Sequence, residues 1–241
     1  MTTGATSRAR YEEWHDRHQV DREADAPWHR LVLRHLDLAR DLQGKRVLEV
    51  ACGRGGFAAK LMTRTSPPPR LVAADFSSSA VRKGKAFADD LHLASIGWEV
   101  LDAQSLGHRD ASFDTVISCE TIEHLPRPRA ALREFWRVLK PAGRLFLTTP
   151  NYLGPMGAYR GYLRLMGRPY TEEGQPINNF MLLPRTVRWI GRAGFTISSV
   201  DAAGHYLPFP GRPPRELPWL GRMRPLRWLA LHSFILAEKP C

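Results

Sequence analysis

The sequence predicts an α/β fold, a mostly parallel, doubly wound sheet with helices on both faces, preceded by N-terminal helices and carrying a C-terminal lid insertion. Three observations lead there. Arg46 to Ala58 reads as a short apolar run, a glycine turn and a helix start. Further apolar runs at Leu71 to Ala74, Ile96 to Leu101 and Phe113 to Cys119 are each followed at once by an acid. Runs this short and continuous suit strands covered on both faces. Helix starts at Ser77 and near Ala130 fall between them, which makes the strands parallel neighbours joined by crossovers.

The elements follow in order. Ser7 to Arg40 reads as two helices divided near Pro27. Leu31, Leu33, Leu36 and Leu38 supply the second with an apolar side, and Tyr11, Trp14, His15 and His18 fall on the first at helical spacing. In the first strand Val47, Leu48, Val50 and Ala51 flank Glu49, and Gly53, Gly55 and Gly56 follow. Glycines leave the backbone open to a ligand. Gly53, Gly55 and Ala58 also satisfy the spacing of a dinucleotide fingerprint, in which a pyrophosphate rests on the helix start. Glu49 argues against that ligand, because a carboxylate four residues before the first glycine repels a pyrophosphate and attracts an ammonium or sulfonium. S-adenosylmethionine carries both cations and no phosphate.

Asp75, at the end of the second strand, is placed to accept hydrogen bonds from both ribose hydroxyls of an adenosyl group, with Phe76 beside it to cover an adenine face. Ser77 to Ser79 can cap the next helix. Asp102, Ala103 and Gln104 follow the third strand at the adenine edge. The fourth strand runs into Glu120, Thr121, Ile122, Glu123 and His124 before Pro126 and Pro128. Ligands of open parallel sheets bind outside the carboxyl ends of the strands, so Glu120, Glu123 and His124 point at the crevice.

These segments resemble the motifs of class I S-adenosylmethionine-dependent methyltransferases over about Lys45 to Asn151. Val-Leu-Glu-Val-Ala-Cys-Gly-Arg-Gly-Gly is similar to the family's first motif, Ala-Ala-Asp-Phe-Ser to its second, Leu-Asp-Ala-Gln to its third and Cys-Glu-Thr-Ile-Glu-His-Leu to its fourth. Arg-Val-Leu-Lys-Pro-Ala-Gly-Arg-Leu-Phe-Leu-Thr-Thr-Pro-Asn resembles the helix, turn and fifth strand that follow. Glu-Thr-Ile-Glu-His and Thr-Thr-Pro-Asn are most similar to ubiquinone-pathway O-methyltransferases and their small-molecule relatives. The resemblance implies a Rossmann-like sheet of seven strands in a single domain, 1–241: a helical cap over 1–44, a cofactor-binding core over 45–151, and a substrate-binding and lid part over 152–241. Its implied cofactor set is Glu49, Gly53, Gly55, Asp75, Phe76, Asp102, Ala103, Cys119 and, from a leading helix that closes over the ligand, Tyr11. Trp14 is expected beside Tyr11.

Methyl transfer is an in-line displacement at an activated carbon, so the protein mainly supplies alignment and a base. His124 is the expected base, with Glu123 orienting it or sharing the load. Alternatively Glu120, Glu123 and His124 hold Mg²⁺, which would lower the acceptor's pKa. Similar residues bind metal in some ubiquinone-pathway enzymes and in small-RNA 3′-terminal ribose methyltransferases. The latter supply a further histidine where this chain has Gln175, Asn178 and Asn179, a departure that weakens the metal and RNA readings. His205 is the remaining substitute.

Beyond Asn151 the pattern is the chain's own. Gly154 to Gly174 interleaves Tyr159, Tyr162, Leu163, Leu165 and Met166 with Arg160, Arg164 and Arg168. Pro184 to Ala193 reads as a helix, Phe195 to Val200 and His232 to Glu238 as strands, and the proline-rich Ala202 to Trp228 as a lid beside the crevice. Net charge is +11, and residues 151–241 hold twelve Lys and Arg against five Asp and Glu. Such a surplus suits a solvated arginine-rich face, a phosphate-bearing acceptor or peripheral contact with an anionic membrane. No nucleic-acid module accompanies it, which disfavours nucleic acid. Met1 to Asp25 is polar, no apolar window spans a bilayer, and Cys52, Cys119 and Cys241 are unpatterned, so the expected setting is the cytoplasm with reduced thiols. The favoured function is methylation of a hydroxyl on a small, partly apolar acceptor such as a phenol, quinol or secondary metabolite. The rivals are methylation of a phosphate-bearing or nucleic-acid acceptor, and a non-catalytic S-adenosylmethionine-binding partner subunit.

Overall fold

A computed structural model describes residues 4–168, 175, 177–209, 212–217, 219–220 and 223–241. Seven strands form one sheet: β1 (Arg46–Val50), β2 (Arg70–Asp75), β3 (Gly97–Val100), β4 (Phe113–Cys119), β5 (Leu139–Pro150), β6 (Thr196–Ala203) and β9 (His232–Glu238). Their order is β3-β2-β1-β4-β5-β9-β6, with β9 antiparallel to both neighbours and the first five strands parallel. Strand order reverses between β1 and β4, where Val50 lies beside Ser118. A crevice opens at that reversal, outside the carboxyl ends of the strands.

Alternation along each strand sends side chains to two separate layers. On one face Leu48, Val50, Val116, Leu145 and Ile235 pack with Leu132 and Phe135 of α5 (Pro128–Val138) and Ile190 of α7 (Leu183–Arg192). On the other, Val47, Ile117, Phe146 and Phe234 pack with Leu31 and Val32 of α2 (Pro27–His35) and Phe57 and Leu61 of α3 (Gly56–Met62). Pro27 opens α2, where its missing N–H is not needed. The expected apolar side is realised differently, because the helix stops at His35 and Leu36 turns extended. Leu31 and Val32 are therefore the fully buried pair, while Leu38 is exposed.

The leading helix α1 (Gly4–Arg17) is fixed by α4 (Ser78–Asp90). Ser77 caps α4 by accepting from the Ala80 N–H, and Glu12 of α1 accepts from Ser77 Oγ at 2.7 Å and from the N–H groups of Ser78 and Ser79 at 2.8 and 2.9 Å. A carboxylate there is favoured by the helix start. Burial opposes its charge, yet the hydrogen bonds from Ser77, Ser79 and Ser78 outweigh it and hold Glu12 at about 2. Lys83 clamps the other end of α1, donating to the carbonyls of His15, Asp16 and His18 at 2.8, 2.8 and 3.0 Å.

In the expected lid region the chain forms a hairpin, β7 (Tyr206–Phe209) and β8 (Arg212–Glu216), and a short 3-10 turn over Arg224–Leu229. Pro210 and Pro218 lie outside the described residues. The hairpin packs against α6 (Pro155–Leu165), whose Tyr162 and Leu165 face solvent with Met166 just beyond. No helix among the described residues is long and apolar enough to cross a membrane.

Candidate active site

The crevice at the strand reversal is a cavity of about 710 Å³. Its floor is the β1–α3 turn, where Ala51, Gly53 and Gly55 take positive φ of 56, 52 and 76°. Gly53 lines the cavity, and a Cβ added there would meet only His15, at 4.0 Å. Gly55 does not line it. A Cβ at Gly55 would strike the Trp98 ring and approach Gly84 Cα at 2.9 Å, so its bareness serves helix and strand packing as well as its left-handed backbone. Gly56 is bare because a Cβ would strike the Asp21 carbonyl.

Glu49, Asp75, Phe76, Asp102, Ala103, Cys119 and Tyr11 all line the cavity, together with Trp14. Asp75 accepts from the N–H groups of Gly53 and Ser77, both at 2.9 Å, and burial raises its carboxyl to about 6 against those bonds. Glu49 is 4 % exposed, and its Oε2 is buried without a hydrogen-bond partner among the described residues. Burial, reinforced by the charge of Asp75, pushes the Glu49 carboxyl up to about 8. Two carboxyls held above their ordinary range in one apolar wall call for a cation. Cys52 and Cys119 end neighbouring strands as free cysteines, and burial raises both thiols.

Tyr11 stands edge-on to Phe76 at 5.1 Å and to His124 at 6.3 Å. Beside it runs the segment around Ile177, whose carbonyl accepts from His124 Nδ1 at 2.7 Å and from the Tyr11 hydroxyl at 3.4 Å. A carbonyl only accepts, so Nδ1 carries the proton and Nε2 the lone pair. That Nε2 is 3.6 Å from Glu123 Oε1. Glu123 is fully buried off the cavity wall, and its Oε2 accepts from Thr149 Oγ1 at 2.9 Å.

The expected metal triad does not come together. Glu120 Oε2 turns to His232 Nδ1 at 3.3 Å, while Glu123 turns the other way to Thr149. No cluster of three or more His, Cys, Asp or Glu among the described residues is arranged to hold a metal ion. His205 is committed to the Leu226 carbonyl at 2.9 Å, and Asn178 and Asn179 to Arg160 and the Leu125 carbonyl at 2.9 and 2.8 Å. The expected lid also stands apart, since no described residue of 202–228 lines the cavity. Its cover is α1. Sequence reasoning passed over Asp21, Trp28, His29 and Arg54 as cavity residues. The only local signal for Trp28 and His29 was their place in the first turn of the helix that Pro27 opens.

Residues 48–147 match a family described as a methyltransferase domain. A probable phthiotriol/phenolphthiotriol dimycocerosates methyltransferase 2 of Mycobacterium ulcerans is 41 % identical over 43 % of this chain and 38 % of its own length. A ubiquinone biosynthesis O-methyltransferase of Neisseria meningitidis is 34 % identical over 50 % of each chain. The match thus spans half or less of the length of these two curated relatives. Among solved structures, the complex of the Haloferax volcanii Trm112 methyltransferase activator with a methyltransferase aligns with a TM-score of 0.69, 18 % identity and 98 % coverage of both chains, a likeness of fold.

Proposed function

We propose that the chain is an S-adenosylmethionine-dependent methyltransferase that transfers a methyl group to a hydroxyl oxygen of a small, partly apolar acceptor, a reading supported by the methyltransferase-domain match over residues 48–147 and by the Rossmann-like sheet. The observation that carries the donor assignment is the unsatisfied Glu49 carboxyl, buried beside Asp75 over a bare glycine floor. When bound, S-adenosylmethionine supplies a methyl carbon on a sulfonium. Glu49 would face the cationic methionine part, Asp75 the ribose hydroxyls, and Phe76, Asp102 and Ala103 the adenine. Tyr11 and Trp14, on a helix fastened by Glu12 and Lys83, would exclude water from the donor.

His124 is the residue proposed to take the acceptor's proton. Its Nδ1–H is tied to the Ile177 carbonyl, which leaves Nε2 as the basic nitrogen, and the proton it gains would face Glu123. Oxygen as the acceptor atom is supported by the name of the Neisseria relative and by this imidazole. An acceptor bearing phosphate fits poorly, because Asp21, Glu49, Asp75, Asp102 and Glu120 line the cavity against one arginine, Arg54.

Purified protein incubated with methyl-labelled donor and an extract of its source should label one compound, identifiable by mass. His124→Ala should lower turnover by about a hundredfold, the usual worth of a positioned base, and leave donor affinity unchanged. Full activity in that variant removes His124 from the mechanism. Donor binding without any labelling would favour the partner-subunit reading.

A further inference from the structure

Outside the groups assigned to the donor and to His124, two polar atoms in the cavity wall lack partners among the described residues, and they are of opposite kind. Trp28 Nε1 donates to His29 Nε2 at 3.2 Å. An indole N–H only donates, so Nε2 of His29 is the acceptor nitrogen and Nδ1 carries the ring proton. That Nδ1–H is buried with no partner among the described residues. Burial holds His29 at about 4, against the pull of nearby Asp21 and Glu120, so the ring is neutral at physiological pH. Across the wall, Glu120 Oε2 accepts from His232 Nδ1 at 3.3 Å while Oε1 is buried with no partner.

The placement of these groups is constrained from several elements. The His29 ring stacks on Phe57 at 4.5 Å, 11° from parallel. Trp28 lies 5.1 Å from the His232 ring, which ties the start of α2 to the start of β9. Glu120 sits at φ 47°, a left-handed conformation rare for a side chain of this size, at the end of β4. Backbone strain of this kind persists where the surroundings enforce it, and it clusters at ligand sites. A neutral donor, a carboxylate acceptor and an indole thus border one cavity. An isolated hydrogen-bonding atom in a buried wall is costly, and a ligand that supplies the complementary atom recovers that cost.

We propose that Trp28, His29 and Glu120, with His232 positioning Glu120, form the acceptor subsite, and that it takes a neutral planar molecule bearing a hydroxyl next to a second oxygen. The hydroxyl is an anchor that donates to Glu120 Oε1, the neighbouring oxygen, which is the one deprotonated by His124 and methylated, accepts from His29 Nδ1–H, and the ring lies along Trp28. The assignment rests on the methyltransferase reading, since it supposes that the donor fills the Glu49–Asp75 end. It names the residues that choose the acceptor, and His232 acts only through Glu120.

The test uses the full chain loaded with S-adenosylhomocysteine and two probes of one shape. Guaiacol has a hydroxyl beside an ether oxygen, and veratrole has two ether oxygens and no donor. Ligand-observed NMR titration should show guaiacol binding at least tenfold tighter than veratrole to the wild type. Glu120→Ala should weaken guaiacol by about tenfold and leave veratrole unchanged, whereas His29→Phe should weaken both, because an ether oxygen of either probe accepts from Nδ1–H. Glu120→Gln keeps the shape but has one accepting oxygen where His232 and the hydroxyl need two, so it should weaken guaiacol and leave veratrole unchanged, a selective loss that a general packing role would not give. His232→Ala should weaken guaiacol and His232→Asn, which keeps a donor, should restore it. Affinity for S-adenosylhomocysteine, measured by calorimetry on every variant, should not move. Wild-type protein that fails to bind S-adenosylhomocysteine overturns the methyltransferase reading itself. Normal S-adenosylhomocysteine binding with no guaiacol binding, with equal affinity for the two probes, or with Glu120→Ala and His29→Phe indistinguishable from wild type, overturns the subsite alone.

Discussion

With Glu49 facing the cationic donor, as proposed, donor binding should release a proton. Its ordinary value of 4.5 is raised to about 8 by burial and by Asp75. In the free protein at pH 6.5 only about one Glu49 in thirty is ionised, and at pH 7.5 about one in four. A cation facing Glu49 requires the ionised form, so the apparent affinity for S-adenosylmethionine should improve about eightfold across that interval. The direction follows from the sign of the shift: a raised carboxyl is neutral below its folded value, and each proton still present must be expelled on binding. The interval is chosen because Asp75, at about 6, adds its own titration below it, and a ligand amino group begins to lose its charge near 8. Calorimetry in buffers of different ionisation enthalpy should report about 0.9 proton released per donor bound at pH 7. Glu49→Gln should bind more weakly at pH 7.5, release almost no proton and show a flat pH dependence. A wild-type affinity that stays constant from pH 6.5 to 7.5, or equal proton release from wild type and Glu49→Gln, would refute the reasoning.

Two further outcomes follow from the geometry around the cavity. Glu12→Gln weakens the cap that fastens α1 to α4, worth about 0.5 kcal/mol for a solvent-screened capping side chain, so amides of α1 should exchange with deuterium about twofold faster. The wild-type contact should be present above the ordinary Glu12 value of 4.5 and be lost as pH falls toward about 2, because the folded value is depressed; unchanged exchange in the variant would separate α1 from this clamp. Turnover should be insensitive to a strong chelator, because Glu120 and Glu123 turn away from each other to His232 and Thr149; abolition of activity by the chelator, restored by Mg²⁺, would reinstate the metal.

Local chemistry was the legible part. Strand β4 runs over Phe113–Cys119 and β9 over His232–Glu238, as the continuous apolar runs indicate, because a strand covered on both faces needs nothing from its neighbours to declare itself. Glu49 and Asp75 reach the cavity because strand ends and glycine turns are written in adjacent residues. Less legible was anything that depends on distance in space. Glu12 reaches across 66 residues to cap α4, and His232 lies 112 residues from Glu120; no spacing rule links such pairs before the sheet has brought them together. Gly55 misled for a related reason, since its bare Cα answers to Trp98 and Gly84 and not to a ligand. The proline-rich stretch after Ala202 has the composition of a lid, but composition does not say which face it covers, and its hairpin lies on α6.

Charge separates the outside of this molecule from its cavity. The chain carries +11, with the excess concentrated after residue 150, yet five carboxyls and one arginine line the site. Beyond about 8 Å in physiological salt the surface excess is screened, so it acts on what approaches the protein and not on what enters the crevice. Inside, the carboxyls dominate, because low dielectric strengthens each interaction. Burial and the charge of Asp75 keep Glu49 neutral when no cation is present, and His15 and His29, both near 4, add no positive charge of their own. The cavity therefore already favours positive charge through its other carboxyls, and a cationic donor that draws the proton from Glu49 would add one more.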